Sequence, residues 1–166
     1  MGLRRRTDAN EPGVGSVVVD LHKAMGLALD EAAAAARHDD VPVGAVLLRD
    51  DKVVAQRHNE RELSGDPTAH AEILALRDAA QAAGSWRLEG LTMVVTLEPC
   101  PMCTGALLAA RIDRVVFGAA DPKAGACGSL YNLCADPRLN HEIEVVSGLR
   151  ADECARRLTA FFASRR

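Results

Sequence analysis

The sequence predicts an α/β domain of three layers, α/β/α, built on a mixed sheet of roughly five strands. Three observations carry that expectation. Apolar runs of strand length alternate with stretches of helical period along the chain. An acidic turn joins the first two runs as a hairpin. A length of 166 residues at 48% hydrophobic and 26% charged content is enough for one buried core.

The elements follow in order. Residues 1–15 are polar, contain Gly and Pro, and lack any period, so a disordered lead is expected, with a single domain over 16–166. From about Val17 to His38, Leu21, Met25, Leu27, Leu29 and Ala33 recur near helical spacing in an Ala-rich run. Pro42 closes that region. Val43–Leu48, Asp50-Asp51 and Lys52–Ala55 read as a hairpin, and a polar loop with Asn59, Gly65 and Pro67 follows. A helix is expected from about Ala69 to Ala83, capped by Asp66 or Thr68 and ended by Gly84. Thr92–Leu97 is continuously apolar, as in a strand buried on both faces. A helix from the P-C-P-M-C to about Ala110, with Pro99 and Pro101 in its first turn, comes next. Arg114–Phe117 and Ile143–Val146 are short strands, and Ala151–Phe162 is a closing helix.

Charge and cysteine usage narrow the function. A balance of 20 basic to 23 acidic side chains, net −3, gives no global attraction to nucleic acid, so an RNA partner needs a local basic patch. No stretch approaches the roughly 18 apolar residues of a membrane span. Arg4, Arg5 and Arg6 are followed by no apolar run, so no secretory signal is expected. The five cysteines are an odd count with two in a C-x-x-C, which suggests metal or redox chemistry in a reducing compartment; the cytoplasm is the expected location.

H-A-E (His70 to Glu72) and P-C-P-M-C (Pro99 to Cys103) supply one imidazole, two thiols and one carboxylate. Cys100 and Cys103 lie three apart, so at a helix start both sulfurs face one side. His70 opens the preceding helix, and two helix N-termini beside the thiols favour thiolate, the form that binds metal. Three N/S ligands leave tetrahedral zinc one open position, the arrangement of a catalytic rather than a structural site. Zinc brings the pKa of a water held there to roughly 7. Glu72, in the first turn beyond His70, reaches that water without being a ligand and serves as general base and then general acid. A C-x-x-C alone would read as a zinc staple or a redox pair. A staple needs a fourth ligand, with Cys127, Cys134 and Cys154 as candidates, and a redox pair leaves H-A-E unexplained. The two motifs together match the zinc deaminase signature H-x-E…P-C-x-x-C.

At these residues the chain resembles the bacterial tRNA-specific adenosine deaminases, of the cytidine deaminase-like fold. The likeness extends through V-P-V-G-A-V (Val41 to Val46), D-P-T-A-H-A-E-I (Asp66 to Ile73), T-L-E-P-C (Thr96 to Cys100) and R-V-V-F-G-A (Arg114 to Ala119). It continues in G-S-L (Gly128 to Leu130), N-H (Asn140-His141), A-D-E-C (Ala151 to Cys154) and F-F (Phe161-Phe162), covering nearly everything from Val17 onward. The resemblance implies one Zn2+ per subunit on His70, Cys100 and Cys103, with Glu72 moving protons while adenosine becomes inosine at the wobble position of a tRNA anticodon. It further implies a purine edge held by the Asn59 amide and a target ribose met by Asp121, whose carboxylate accepts from the 2′-OH that separates RNA from DNA. The same likeness implies that backbone N–H groups near Ala71 and Cys100 help position the reacting groups, that Val41 and Leu97 line the pocket, and that Phe162 touches a neighbouring base, although the F-F pair by itself also fits an apolar core-facing helix side. A homodimer, the anticodon stem-loop as partner and no membrane association follow from the same likeness. Ala120 stands where relatives often carry a basic residue.

Read without the likeness, Asn59 and Asp121 are ordinary turn residues, Val41 and Leu97 pass as core, and Arg165 and Arg166 are either phosphate contacts or a solvated terminus. Two other functions remain open at this level. One is a deaminase of a free nucleobase or nucleoside such as guanine or cytosine. The other is an RNA-binding or scaffolding protein with a closed structural zinc, using Cys127 or Cys134 as fourth ligand.

Overall fold

A computed structural model describes Val19 to Arg166. The lead expected over residues 1–15 lies outside the described residues. Helix α1 (Leu21–Ala36) starts where the Asp20 carboxylate accepts the Lys23 N–H at 2.8 Å, which satisfies one of the orphan donors of the first turn. Strands β1 (Gly44–Arg49) and β2 (Lys52–His58) follow as the expected hairpin. Its tip is Asp50-Asp51, both left-handed at φ 48° and 59°, the pairing that a two-residue turn needs to match strand twist.

Three departures from the sequence expectation have a visible physical reason. Strand β2 runs on to His58 because Gln56, Arg57 and His58 pair with Val46, Ala45 and Gly44. Polar side chains are tolerated there because β2 is an edge strand. Within the loop beyond it lies a short helix α2 (Arg61–Ser64), ended by left-handed Gly65. The buried Asp40 carboxylate organises it, accepting the N–H groups of Glu62 and Leu63 at 2.9 and 3.2 Å. Helix α3 (Ala71–Ala83) begins two residues later than expected. Its N-cap is His70, neither Asp66 nor Thr68. Asp66 instead folds a local turn, accepting both the N–H and the hydroxyl of Thr68 at 2.8 Å. Gly84 closes α3 at φ 61°, as expected.

Strand β3 (Leu91–Leu97), helix α4 (Pro101–Ala109), strands β4 (Arg114–Ala119) and β5 (Glu144–Ser147) and helix α5 (Ala151–Ala163) complete the order. Pro101 occupies the first turn of α4, whereas Pro99 lies before its N-cap, Cys100. The five strands lie in the order β2-β1-β3-β4-β5. Strand β1 is antiparallel to both neighbours, and β3, β4 and β5 are mutually parallel, so the sheet is mixed as the sequence predicts.

The period of two along each strand sorts the core into two layers. Ala45, Leu47, Met93, Val95, Val115 and Phe117 face the layer containing residues of α3 and α4. Val46, Leu48, Val94 and Val116 face the layer containing α1 and Cys154 of α5. Runs buried on both faces explain why Ala45–Leu48, Met93–Val95 and Val115–Phe117 are continuously apolar rather than alternating. Full burial of a side chain such as Leu47 contributes about 1.5–3 kcal/mol. Close approach sets Gly44: a Cβ there would lie 1.9 Å from the Ala28 carbonyl oxygen of α1.

Antiparallel β1 enters at the edge of the sheet where β2, β3 and β4 leave it. Val41 before β1, Asn59 after β2, Cys100 after β3 and Asp121 after β4 therefore collect along that edge. Carboxyl ends of parallel strands are the usual place for a site in such a sheet.

Candidate active site

Two helix starts meet at this edge. His70 and Cys100 are the N-caps of α3 and α4, both with extended backbone (φ −76°, ψ 149° and φ −73°, ψ 173°). Neither side chain caps its own helix. Cys103, one turn into α4, is fully buried. His70 Nδ1 lies 3.4 Å from Cys103 Sγ and 3.8 Å from Cys100 Sγ. All three ligand atoms lie within 4.8 Å of one another.

These separations fit a metal. Tetrahedral zinc with the usual bond lengths holds N and S ligands about 3.6 Å apart. The electrostatics fit as well. A hydrogen bond from Cys103, followed by one from His70, holds the Cys100 thiol down at about 4. Cys103 is pushed far up, first by that same bond to Cys100 and then by burial. His70 is raised by its contact with the Cys100 sulfur. The pair thus favours a thiolate at Cys100, and the second thiol would give up its proton to a bound cation.

Glu72 stands beside this triad with 4% of its surface exposed. Burial pushes its carboxyl up, the direction that suits a proton carrier working near neutral pH. Cys127 and Cys134 sit elsewhere, with their sulfurs 3.5 Å apart in the core and Cys127 also against the Thr104 hydroxyl. Among the described residues no other His, Cys, Asp or Glu joins His70, Cys100 and Cys103 in a metal-ligating group. The closed structural site with Cys127 or Cys134 as fourth ligand is therefore not formed.

The remaining expected residues divide. Asn59 is buried at 6% exposure and built into the site's wall. Its Oδ1 accepts the Ala71 N–H at 2.9 Å, and its Nδ2 donates to the Val41 carbonyl at 3.1 Å. The Ala71 N–H is thus engaged by Asn59, and one amide hydrogen of Asn59 is left over. A cleft of about 270 Å³ opens beside it, lined by Val41, Asn59, Arg61, Glu62, Phe161 and Arg165 among others. The aromatic in that cleft is Phe161, which Arg165 covers at 3.5 Å from the ring centroid while reaching Asp39 at 2.6 Å. Phe162, the expected contact, is 49% exposed and faces a different surface with Leu158, Thr159 and Arg166. The helical period decides this, since neighbours on a helix point about 100° apart. Leu97 is half-buried and packs into both core layers. Asp121 folds its own loop, with Oδ1 accepting the N–H groups of Lys123 and Ala124 at 3.0 and 3.2 Å.

Glu98, absent from the residues the sequence singles out, sits 2% exposed between β3 and Cys100. Burial opposes its charge, yet hydrogen bonds from Ser129, Asp121 and Cys127 outweigh that and hold the carboxyl below its usual range. A signal was available: an acid directly following a run buried on both faces must be fully partnered.

Three N/S donors on two helix starts with a buried carboxylate beside them are the donor set of a catalytic zinc site that keeps one open position. Residues 18–119 match the family model for the cytidine and deoxycytidylate deaminase zinc-binding region, and the chain belongs to that family. It is 50% identical to the tRNA-specific adenosine deaminase of Bacillus subtilis over 135 residues, 81% of this chain and 84% of the relative. A solved structure from work on A-to-I editing by tRNA:A34 deaminases at the wobble position of transfer RNA superposes with a TM-score of 0.79. It is 46% identical to this chain, and the match covers 81% of this chain and 98% of that one. A guanine deaminase from Bacillus subtilis is more distant, with TM-score 0.60 and 29% identity over 89% of this chain and 94% of that one.

Proposed function

We propose that this chain removes the 6-amino group of adenosine by hydrolysis at the wobble position of a tRNA anticodon, giving inosine and ammonia. The observation that carries the chemistry is the buried Glu72 carboxylate standing beside the His70, Cys100 and Cys103 triad. These three residues hold one zinc ion per chain. When bound, the ion acidifies water enough to make it a nucleophile near neutral pH. Glu72 accepts the proton that water loses and delivers it to the amino nitrogen, so that ammonia departs as a neutral molecule. The Asn59 amide keeps one free hydrogen for the purine edge, Val41 and Leu97 flank the base, and Asp121 meets the ribose. Phe161 lines the cleft beside Asn59, and Phe162 offers an exposed ring to a flanking nucleotide.

Identity of 50% to a tRNA-specific adenosine deaminase favours an RNA substrate over a free base. The enzyme works in the cytoplasm, where tRNA is decoded, as a single deaminase domain over 16–166. Among the described residues no helix is long and apolar enough to cross a membrane. We assign a homodimer to the groove between α3 and α4, where Trp86 is 56% exposed beside Ile73, Leu76, Ala106 and Ala109.

The test incubates zinc-loaded protein with an anticodon stem-loop, guanine and cytosine in parallel and measures ammonia. Release from the stem-loop alone, lost in a Glu72→Gln variant that retains its zinc, is the expected result. Turnover of guanine or cytosine with an inert stem-loop refutes the RNA reading, and full activity of Glu72→Gln refutes the proton transfer.

A further inference from the structure

One carboxylate gathers Asp121, Cys127 and Ser129, in the first part of the long connection that follows β4. Glu98 Oε2 accepts the Asp121 N–H at 3.0 Å and the Ser129 hydroxyl at 2.5 Å. Its Oε1 accepts the N–H groups of Cys127 and Ser129 at 3.1 and 3.0 Å. The backbone is pressed against it: a Cβ on Gly125 would lie 2.3 Å from the Glu98 carboxyl carbon. Next in sequence, Pro99 adds one more tie to the loop, its carbonyl accepting the Ala126 N–H at 2.9 Å; the same carbonyl accepts the Thr104 hydroxyl of α4 at 3.4 Å. Cys100, a metal ligand, follows directly. The Asp121–Ser129 part of the loop is thus tied to the Glu98–Pro99 segment that leads into Cys100.

We propose that Glu98 is a positioning residue for substrate binding, holding the Asp121–Ser129 loop in register with the metal-bearing segment so that Asp121 is presented to the target nucleotide. It rests on the RNA deaminase reading above. Glu98 touches neither the triad nor Glu72 through any hydrogen bond, so its effect is on how tightly substrate binds rather than on the proton transfer. A glutamine in its place keeps the shape but turns an acceptor into a donor facing other donors, which releases one side of the loop. Removing the Ser129 hydroxyl takes away a single donor and leaves the carboxylate and its other partners.

The experiment compares wild type, Glu98→Gln and Ser129→Ala as zinc-loaded full chains. It measures zinc per chain, kcat and KM on the anticodon stem-loop, and amide hydrogen exchange at Asp121, Cys127 and Ser129. The expected result for Glu98→Gln is a KM raised about ten-fold with kcat within about three-fold, zinc unchanged and loop amides exchanging faster. Ser129→Ala shifts KM the same way by about three-fold. An unchanged KM in either folded variant overturns the proposal. A matched loss of kcat and zinc in Glu98→Gln also overturns it, since Glu98 would then support the metal. If the wild type leaves the stem-loop untouched, the RNA reading fails by itself. Hydrogen exchange still decides the positioning role: unaltered protection of the loop amides in both variants refutes it.

Discussion

The side-chain oxygen of Asn59 accepts the backbone N–H of Ala71 at 2.9 Å, fastening the segment after β2 to the first turn of α3. Ala71 lies between His70 and Glu72, so this bond fixes the helix start from which both project. Asn59→Ala leaves the Ala71 N–H and the Val41 carbonyl without their partner in a buried setting. The expected loss is about 1–3 kcal/mol for each group that water does not reach. Urea unfolding of the zinc-loaded variant measures it, and deamination should fall further than stability alone explains. Asn59→Asp retains the acceptor toward Ala71 but turns an oxygen against the Val41 carbonyl, so it should be destabilised while keeping helix α3 in place.

Metal loss is the second expectation. Cys103 is buried behind His70 and Cys100, and a serine there offers a hard oxygen where a soft thiolate is needed. Cys103→Ser should therefore bind far less than one zinc per chain by elemental analysis, while Glu72→Gln binds a full equivalent. Chelation of the wild type should lower its stability by about 2.7 kcal/mol relative to protein in free zinc at one hundred times Kd. A chelator-treated protein with an unchanged melting temperature would contradict this assignment.

Much of this architecture is readable from residue order because its parts are local. The Asp50-Asp51 turn, the Gly84 stop and the Thr92–Leu97 run each carry their own physical signal, and the structure returns all three. The spacing of Cys100 and Cys103 and the offset from His70 to Glu72 are likewise set by one turn of helix. What the sequence hides are partnerships across distance. Asp40 builds α2 from 22 residues away, and Glu98 reaches donors on Asp121, Cys127 and Ser129, 23 to 31 residues on. The choice between Phe161 and Phe162 also needs the helix docked on its neighbours before one ring is seen to face Asn59. His70 as the N-cap was masked by the better capping residues just before it, Asp66 and Thr68, which spend their hydrogen bonds on each other.

Asp136 offers a pH test in the long connection between β4 and β5. Arg138 holds its carboxylate with two side-chain bonds, at 2.9 and 2.6 Å, and one backbone N–H at 3.0 Å, which draws the carboxyl down to about 2. A folded-state value below the ordinary one of about 3.9 stabilises the turn above that ordinary value. The contribution fades as pH falls toward about 2. Carboxyl carbon NMR titration should place the Asp136 midpoint there in the wild type. Arg138→Ala should return it toward the ordinary value, and a midpoint unmoved by that substitution would show that the ion pair does not form in solution.

Asp121 tests whether a residue that folds a loop also reads the substrate. Oδ1 is committed to the N–H groups of Lys123 and Ala124, and its own N–H to Glu98, whereas Oδ2 makes no bond within the described residues. A carboxylate oxygen free in this way can accept from a ribose 2′-OH, a group that DNA lacks. Asp121→Asn keeps an oxygen for the turn and presents an NH2 group where Oδ2 was, so the loop should persist while preference for a ribose target over its 2′-deoxy counterpart falls by about ten-fold. Asp121→Ala should lose that preference and weaken the turn as well, giving faster amide exchange at Lys123 and Ala124. Comparing kcat/KM on stem-loops with a ribose or a deoxyribose at the target nucleotide separates the two roles. Equal discrimination by wild type and Asp121→Asn would assign this carboxylate to loop folding alone.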